Sequence, residues 1–273
     1  MGRERCDRRT KGTELNEKLR QKLAAGETAF GLWVTSEASA VTEVAGMLGI
    51  DWICIDMEHG YLNFKDIQGH LQAARGTDMT VLVRPPSQDL EPIKRALDVG
   101  AHGIVLPLVD SADEVKAAYD HFYYPPIGRR GIGGERSVKW GLDLENYVKS
   151  ANDELLFIPM IETQKSYDNL DEILGVDGIE AIFLGPGDMS ASRGAVGEWE
   201  GPGVTEMNLD ILRRAKEKGI GSGIVARHTD EAIQRRDQGF GMVSLGSDIG
   251  LMIRQIKQMA GELGKDTVGH RWF

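Results

Sequence analysis

The sequence of 273 residues predicts an α/β protein that folds as one (β/α)8 TIM barrel, and three observations support this fold class. Short apolar segments alternate with helix-like segments along the chain, which is typical of parallel strands joined by helical crossovers. The apolar segments lack a period-2 alternation, as expected for strands that are buried on both faces. Eight such units fit a closed barrel of about 250 residues better than an open sheet.

Each element follows from hydrophobic periodicity and from the glycines that end helices. An extra charged helix at residues 13–25 precedes the barrel. The strands are predicted at residues 29–34, 52–56, 80–84, 103–106, 156–161, 181–184, 221–225 and 242–245. The other helices are predicted at residues 38–48, 64–75, 90–99, 112–122, 144–151, 165–174, 205–218, 230–238 and 249–263. Residues 123–139 hold two prolines and four glycines, so they are predicted to form a long loop.

The barrel is predicted to be a single domain of residues 13–263, between a disordered basic tail at 1–12 and a C-terminal tail at 264–273. The opening segment has no apolar stretch behind it, so it does not resemble a secretory signal. Cys6 stands where the myristoylation motif needs Ser or Thr. These features favour a chain that carries no leader and no lipid.

Composition limits the kinds of binding partner and the cellular compartment that the sequence predicts. A net charge of −10 argues against a nucleic-acid partner, because phosphate binding needs a basic face. No apolar run approaches the roughly 18 residues that cross a bilayer, so no membrane partner is expected. The two cysteines, Cys6 and Cys54, are too few for a disulfide framework, which favours the reducing cytoplasm.

Polar side chains gather at the carboxyl ends of the predicted strands, where the active sites of such barrels lie. This set comprises Asp56, Glu58, His59, Arg84, Asp110, Glu162, Asp188, Arg227, His228 and Asp248. One polar strand end carries little information, but several that converge on one face of a closed barrel predict a functional site there.

Glu162 and Asp188 follow consecutive strands, so their side chains can reach a common point. Two carboxylates plus water suit a hard divalent cation such as Mg2+ or Mn2+. The alternative is that each carboxylate merely caps the helix that follows it.

Three further residues allow both a functional and a structural interpretation. His59 directly follows a strand and suits proton transfer, although a lone histidine is more often structural. Arg84 at the tip of an apolar strand needs an anion, which is either a protein carboxylate or a substrate. Asp98 lies late on a helix, and the residues alone favour a solvated helix end.

Six segments together resemble one known family, and they lie at residues 52–60, 83–85, 96–101, 124–131, 160–163 and 184–190. They resemble the HpcH/HpaI aldolases, which are class II pyruvate aldolases and include the 4-hydroxy-2-oxoheptanedioate and 2-dehydro-3-deoxyglucarate enzymes. The segments occur in the family's order and with compatible spacing between about residues 31 and 246.

The resemblance implies a role for each candidate side chain. Glu162 and Asp188 are implied to be the protein ligands of a divalent metal ion, with Co2+ a third choice after Mg2+ and Mn2+. His59 is implied to transfer the proton, and Asp98 to orient His59 and raise its basicity. Arg84 is implied to stabilise the oxyanion that develops on the substrate.

The same resemblance extends to substrate binding and assembly. The backbone at Gly187 and Asp188 is implied to hold the pyruvate carboxylate. Met160 stands where the best-known members carry a Gln that contacts the substrate, and Met cannot donate a strong hydrogen bond, so the grip on the oxo acid is expected to differ. The family usually forms homohexamers, as trimers of dimers with swapped C-terminal helices, so residues 249–263 are expected to pack on a neighbouring subunit.

The resulting hypothesis is an aldolase that reversibly cleaves a 4-hydroxy-2-oxo acid into pyruvate, or a related 2-oxo acid, and an aldehyde, through a metal-bound enolate. A class I mechanism needs a lysine at a strand end, and the nearest candidate, Lys165, is predicted to lie on the next helix. The alternatives are a barrel lyase for acyl-CoA substrates of the citramalyl-CoA or malyl-CoA type, and an oxaloacetate decarboxylase. For these, the glycine-rich loop at 129–137 would cradle phosphate instead of serving as an active-site lid. A non-catalytic barrel would leave the polar cluster without a purpose.

Overall fold

The computed structural model describes residues 15–267, and its eight parallel strands close into a barrel in the order β1 to β8. The predicted (β/α)8 fold is therefore confirmed. The strands span Ala29–Val34 (β1), Trp52–Asp56 (β2), Thr80–Arg84 (β3), Gly103–Leu106 (β4), Leu156–Ile161 (β5), Ala181–Leu184 (β6), Gly221–Val225 (β7) and Met242–Ser247 (β8).

Helices surround the barrel and connect successive strands. They span Glu17–Ala25 (α1), Ala40–Met47 (α2), Phe64–Ala73 (α3), Leu90–Asp98 (α4), Ala112–Phe122 (α5), Leu144–Glu154 (α6), Gln164–Asp168 (α7), Leu170–Ile173 (α8), Pro186–Ser192 (α9), Val204–Glu217 (α10), Thr229–Gln238 (α11) and Asp248–Glu262 (α12). A short 3-10 helix, Arg136–Gly141, interrupts the loop between α5 and α6.

The structure departs from the prediction at three elements. The helix predicted at 165–174 is divided into α7 and α8 at Asn169, whose backbone leaves the helical conformation (φ −96°, ψ 12°). The helix α9 was not predicted, although Pro186 at its first position is typical of a helix start. The loop predicted at 123–139 contains part of the 3-10 helix, in which Lys139 and Trp140 have positive φ.

The barrel interior is filled by large side chains that pack against glycines. Trp33 and Trp52 both contact Phe183 edge to face, with ring centroids 5.5 and 5.7 Å apart. A Cβ at Gly31 would overlap the Trp52 ring, and a Cβ at Gly223 would overlap the Phe183 ring. The absence of a side chain at Gly31 and Gly223 therefore leaves the space that the aromatic rings occupy inside the closed barrel.

The helix α1 closes the amino-terminal end of the barrel. Leu19 on α1 is 1% exposed and belongs to the same apolar cluster as the interior residues. Asn16, just before α1, donates through Nδ2 to the backbone oxygens of His102 and Glu154 at 2.8 and 2.9 Å. Those two residues precede β4 and β5, so the predicted extra helix lies at the end of the barrel opposite the strand tips.

The predicted tails are only partly described. The predicted tail at residues 1–12 lies outside the described residues, and of the predicted tail at 264–273 only residues 264–267 are described. Within residues 15–267, none of the helices combines the length and the apolar character required to span a bilayer.

Candidate active site

A cavity of about 670 Å³ opens at the carboxyl ends of the strands, where the sequence predicts the site. Of the seven residues to which the resemblance assigns a role, five line it: His59, Arg84, Met160, Gly187 and Asp188. These residues come from the tips of β2, β3 and β5 and from α9 after β6. The convergence of separate strand ends that the barrel topology predicts is therefore present.

The guanidinium of Arg84 is fixed in the wall of the cavity. Asp56 pairs with Arg84 in the register of β2 and β3 and accepts from its Nε and Nη2 at 2.9 and 2.6 Å. Nη1 lies 2.9 Å from a Glu58 carboxylate oxygen, and the ring of Trp33 lies 4.5 Å from Cζ. Burial alone would lower the pKa of Arg84, but Asp56 and Glu58 raise it above its usual value, so the group stays charged.

His59 is an accessible side chain of the cavity. Its side chain is 64% exposed, and Nε2 lies 3.9 Å from a carboxylate oxygen of Glu58. The chain turns sharply here because the Asp56 carboxylate accepts from the backbone N–H groups of Glu58 and His59 at 3.0 and 3.3 Å. Burial raises the pKa of Glu58, while Arg84 lowers it. His59 therefore faces the cavity beside a carboxyl group that Arg84 also contacts.

Glu162 directly follows β5 and is not among the residues that line the cavity. It is 1% exposed, and Oε1 accepts from the backbone N–H of Leu108 at 2.7 Å. The other oxygen, Oε2, is buried and has no hydrogen-bond donor among the described residues. Burial above all, together with the charge of Asp188, raises the pKa of Glu162 to about 8, against the lowering effects of Leu108 and Arg84.

These residues fit a divalent cation. A buried carboxylate oxygen without a donor is costly, and a cation shared with Asp188 would satisfy it. Within residues 15–267, no group of three or more His, Cys, Asp or Glu side chains is arranged to hold a metal ion. The two predicted carboxylates would therefore leave several coordination positions to water or substrate, as hard cations in catalytic sites require.

Asp98 lies apart from the other candidates. Its carboxylate accepts from Nη2 of Arg130 at 2.9 Å, and Asp98 is not among the residues that line the cavity. Arg130 is 2% exposed and also stacks on Tyr124, with 4.6 Å from Cζ to the ring centroid. Asp98 is therefore not the solvated helix end that the residues alone favour, since its side chain is 17% exposed. Its contact is with Arg130, whereas the resemblance implies a contact with His59. The pairing of Asp98 with His59 stays a prediction.

Three other polar strand ends serve the fold. Asp110 accepts from Oγ1 of Thr163 at 2.5 Å, and the His228 side chain accepts from a backbone N–H in the first turn of α11. Asp248 accepts from both the N–H and the hydroxyl of Ser36, at 3.0 and 2.6 Å. Burial would raise the pKa of Asp248, but these bonds lower it. The sequence pattern places these residues at the carboxyl ends of the strands, but it does not distinguish them from the residues that line the cavity.

Family comparison completes the assignment of the barrel. A sequence model of the family described as HpcH/HpaI aldolase/citrate lyase matches residues 29–255. The chain belongs to this family. A relative named 2-keto-3-deoxy-L-rhamnonate aldolase, from Escherichia coli O17:K52:H18 (strain UMN026 / ExPEC), is 36% identical over 236 residues, which cover 86% of this chain and 88% of that relative.

Solved structures of the HpcH/HpaI family share the whole fold. A family protein from Burkholderia cenocepacia J2315 superposes with a TM-score of 0.86 at 29% identity, covering 91% of this chain and 99% of that one. An HpcH/HpaI aldolase from Desulfitobacterium hafniense DCB-2 gives a TM-score of 0.83 at 27% identity, covering 91% and 97% of the two chains.

Membership of the HpcH/HpaI family confirms the predicted enzyme class. The chain is a class II pyruvate aldolase, an aldehyde-lyase that cleaves a 4-hydroxy-2-oxo acid into pyruvate and an aldehyde. Aldolases of this class depend on a divalent metal ion, and their substrates are small molecules.

Sequence reasoning missed two parts of the HpcH/HpaI site. Trp33 and Trp199 line the cavity, and neither was singled out. Trp33 carried a signal, because it lies on β1 beside the strand end. Trp199 lies in the loop after α9, eleven positions beyond Asp188, and no strand-end rule points to it.

Proposed function

We propose that this aldolase cleaves a 2-oxo-3-deoxy sugar acid into pyruvate and a short aldehyde at the cavity bounded by His59, Arg84 and Asp188. The observation that carries the proposal is the buried Oε2 of Glu162, which has no hydrogen-bond donor within residues 15–267 and lies near enough to Asp188 for that charge to raise the pKa of Glu162. The sugar-acid substrate is supported by the relative that is named as a 2-keto-3-deoxy-L-rhamnonate aldolase.

Glu162 and Asp188 would hold the divalent ion, with Mg2+ or Mn2+ preferred for oxygen ligands and Co2+ a third choice. When bound, such an ion supplies Lewis-acid polarisation of the keto group, which makes the enolate less costly to form. Because Leu108 already binds Oε1 of Glu162, that carboxylate is oriented before any ligand arrives.

The remaining groups would bind the substrate and move its proton. His59 takes the proton from the C4 hydroxyl, and cleavage of the C3–C4 bond releases the aldehyde and leaves the bonding electrons on C3 as an enolate. Uptake of a proton at C3 then gives pyruvate. Arg84, held rigid by Asp56, stabilises the negative charge that develops on the oxo acid. The free backbone N–H groups in the first turn of α9, at Gly187 and Asp188, hold the pyruvate carboxylate.

Met160 and Asp98 keep a place in the proposal, and the structure shows that each contacts an arginine. Met160 is 2% exposed, and its sulfur lies 3.8 Å from Nη1 of Arg84, so it would limit where the oxo acid sits without donating to it. The proposal keeps Asp98 as the residue that orients His59. In the structure Asp98 pairs with Arg130, so this ion pair would have to change for Asp98 to contact His59.

Deuterium exchange at the methyl group of pyruvate, followed by NMR, tests the proposed function. The enzyme should catalyse this exchange without any aldehyde, lose it in EDTA and regain it with Mg2+ or Mn2+. Borohydride with pyruvate should leave the protein mass unchanged. A pyruvate-sized adduct on a lysine, or exchange that persists in EDTA, would refute the metal-dependent proposal.

The acyl-CoA alternative gains no support from the glycine-rich loop. Arg129 pairs with Asp120 at 3.0 Å, and Arg130 is buried against Asp98. Arg136 donates to the backbone oxygens of Val99 and Leu71. Arg130 and Arg136 are thus engaged within the protein, and Arg129, 74% exposed, is paired at the surface, which disfavours the use of the loop as a phosphate cradle.

Assembly and location complete the proposal. The enzyme is proposed to form a homo-oligomer, a hexamer built as a trimer of dimers, in which α12 packs on a neighbouring subunit. Apolar residues of α12 such as Met252 and Ile256 are more than half exposed, at 53% and 57%. A cytoplasmic location is proposed from the sequence, which has only two cysteines.

A further inference from the structure

The carboxylate of Asp248 joins the start of α12 to the turn that follows β1. Asp248 is the first residue of α12 and is 8% exposed. Its Oδ1 accepts from the backbone N–H and the hydroxyl of Thr35 at 3.1 and 2.9 Å, and from the N–H of Ile249 at 2.9 Å. Its Oδ2 accepts from the N–H and the hydroxyl of Ser36 at 3.0 and 2.6 Å. One carboxylate therefore receives five hydrogen bonds.

Capping of α12 does not account for these five bonds. The N-cap residue is Ser247, whose hydroxyl accepts from the N–H of Gly250 at 3.0 Å. Four of the five bonds to Asp248 come instead from Thr35 and Ser36, which lie 213 and 212 positions earlier in the chain. The carboxylate therefore holds the turn after β1 in place.

A buried histidine binds the same turn through its backbone. Nε2 of His70 donates to the carbonyl oxygen of Ser36 at 3.0 Å, and Nδ1 accepts from the hydroxyl of Thr42 at 2.8 Å. His70 and Thr42 are both fully buried. Burial lowers the pKa of His70, which favours the neutral imidazole that this bonding pattern requires. Ser36 is thus bound at its N–H, its hydroxyl and its carbonyl oxygen.

The turn after β1 packs against the turn that carries His59. A Cβ at Gly60 would lie 3.6 Å from Cα of Thr35 and 2.2 Å from the backbone oxygen of Asp56, so the backbone of Gly60 is close to both residues. Thr35, His59 and Gly60 all line the cavity. A displacement of Thr35 would therefore change the space available to Gly60, and with it the position of His59.

The imidazole of His59 depends on its backbone for its position. The side chain is 64% exposed, so packing restrains it little, and Glu58 lies 3.9 Å from Nε2, beyond hydrogen-bond length. The backbone is better fixed, because the Asp56 carboxylate accepts from the N–H of His59 and Thr35 lies beside Gly60. The location of the ring therefore follows from the two turns that meet here.

We infer that Asp248 is a positioning residue of the aldolase reaction, which places His59 for proton transfer by holding Thr35 and Ser36. The inference rests on the proposed function, in which His59 takes the proton from the C4 hydroxyl. A base must lie within hydrogen-bond reach of that hydroxyl, so a small displacement of the ring slows the step. Because Asp248 also begins α12, the position of His59 is coupled to the helix that is proposed to contact a neighbouring subunit.

Asp248→Asn tests the inference with the full-length, metal-loaded enzyme. The substitution replaces one carboxylate oxygen by an NH2 group, which cannot accept the bonds that Thr35 or Ser36 donate. The kcat of cleavage should fall about 10- to 100-fold. KM for the oxo acid, and the Mn2+ affinity measured by calorimetry, should stay near the wild-type values. An unchanged kcat, or a matching loss of Mn2+ affinity, would overturn the inference.

A double-mutant cycle with His59→Ala separates positioning from general damage. If Asp248 acts through His59, Asp248→Asn should cause no further loss of kcat in the His59→Ala protein. Losses that multiply would show that Asp248 does not act through His59 and would overturn the inference. A wild-type kcat in His59→Ala alone would instead overturn the proposed function, because His59 would then not be the base.

Two further variants keep the test independent of a folding defect. Ser36→Ala removes the 2.6 Å bond and keeps the carboxylate, so kcat should fall by about two- to tenfold. Asp51→Asn is the matched control, because Asp51 is 5% exposed, accepts from the N–H of Phe30 at 2.9 Å and precedes β2 at the opposite end of the barrel. It should lose stability but keep the wild-type kcat. A wild-type kcat in Ser36→Ala, or a loss in Asp51→Asn equal to that in Asp248→Asn, would overturn the inference.

Discussion

Glu162 illustrates how one buried carboxyl group links metal binding to stability. Its pKa is raised to about 8, mainly by burial, against about 4.5 for an ordinary glutamate. The folded state therefore favours the protonated form. The stability that this proton supplies is complete below about pH 4.5 and is lost as the pH rises through 8. A bound dication would remove this dependence.

Glu162→Gln should consequently stabilise the metal-free protein at high pH, because the amide mimics the protonated acid. In EDTA, the free energy of unfolding of the variant minus that of the wild type should increase from pH 5 to pH 9, by an amount on the order of 4 kcal/mol. Denaturant melts at several pH values measure it. Glu206→Gln, at an exposed position of α10, is the control and should leave the wild-type pH dependence unchanged. Parallel curves for Glu162→Gln and wild type would contradict the argument.

Arg84 is the residue whose geometry should matter most to the chemical step. A lysine keeps the charge but cannot make the two parallel bonds to Asp56 that aim the guanidinium. Arg84→Lys should lower kcat by about 100- to 1000-fold, the cost of one misplaced oxyanion donor. Steady-state cleavage assays measure this, with Arg95→Lys on the exposed face of α4 as the control. An unchanged kcat would remove Arg84 from the proposed step.

Residue-level prediction extended to position in the fold, whereas the roles of the site residues stay predictions. The rule that strand tips form the site placed His59, Arg84 and Asp188 at one rim, and all three line one cavity. It left the partner of Arg84 open, although the register that places Asp56 beside Arg84 follows from neighbouring parallel strands. Trp199 was beyond reach, because its position depends on a loop held by the buried ion pair of Arg235 with Glu200.

At the scale of elements, the junction of β6 and α9 controls the space available to Glu162. A Cβ at Gly185 would lie 2.5 Å from Oε2 and 2.8 Å from Cβ of Glu162. Gly185→Ala should therefore displace the carboxylate without changing any charge. The affinity for Mn2+, measured by calorimetry, should fall by about 10- to 100-fold.

Gly131→Ala is the matched control for Gly185→Ala, since no atom of the described part of the chain lies within 4 Å of a Cβ at Gly131. Its Mn2+ affinity should equal that of the wild type. If Gly185→Ala binds Mn2+ as tightly as Gly131→Ala does, Glu162 is not a ligand that depends on this junction.

Strands were easier to predict than short helices. The predicted bounds of β1 to β7 match the structure because each strand is an apolar run between polar turns, and only β8 runs two residues further. The helix α9 has seven residues, too few for an apolar period to show, and it begins in the glycines and proline of a binding loop. The division between α7 and α8 likewise depends on one residue, Asn169.

At the scale of the whole molecule, α12 presents an apolar face that the barrel does not cover. Met252, Ile256 and Met259 recur at helical spacing and are 53%, 57% and 54% exposed. Ile256→Asp should therefore shift the protein to a smaller assembly in light scattering. Gln255→Asp, on the neighbouring polar position, should leave the mass unchanged. If both variants keep the wild-type mass, α12 does not mediate assembly.

The filled interior of the barrel has a kinetic consequence. Because Trp33, Trp52 and Phe183 occupy the space between the strands, both products must leave through the mouth of the cavity at the strand tips. Pyruvate, which is proposed to bind near the buried Glu162, should be released second, after the aldehyde has left the cavity. Product inhibition of cleavage, measured against the oxo-acid substrate, should then be competitive for pyruvate and noncompetitive for the aldehyde. This pattern is expected when the two products leave in a fixed order.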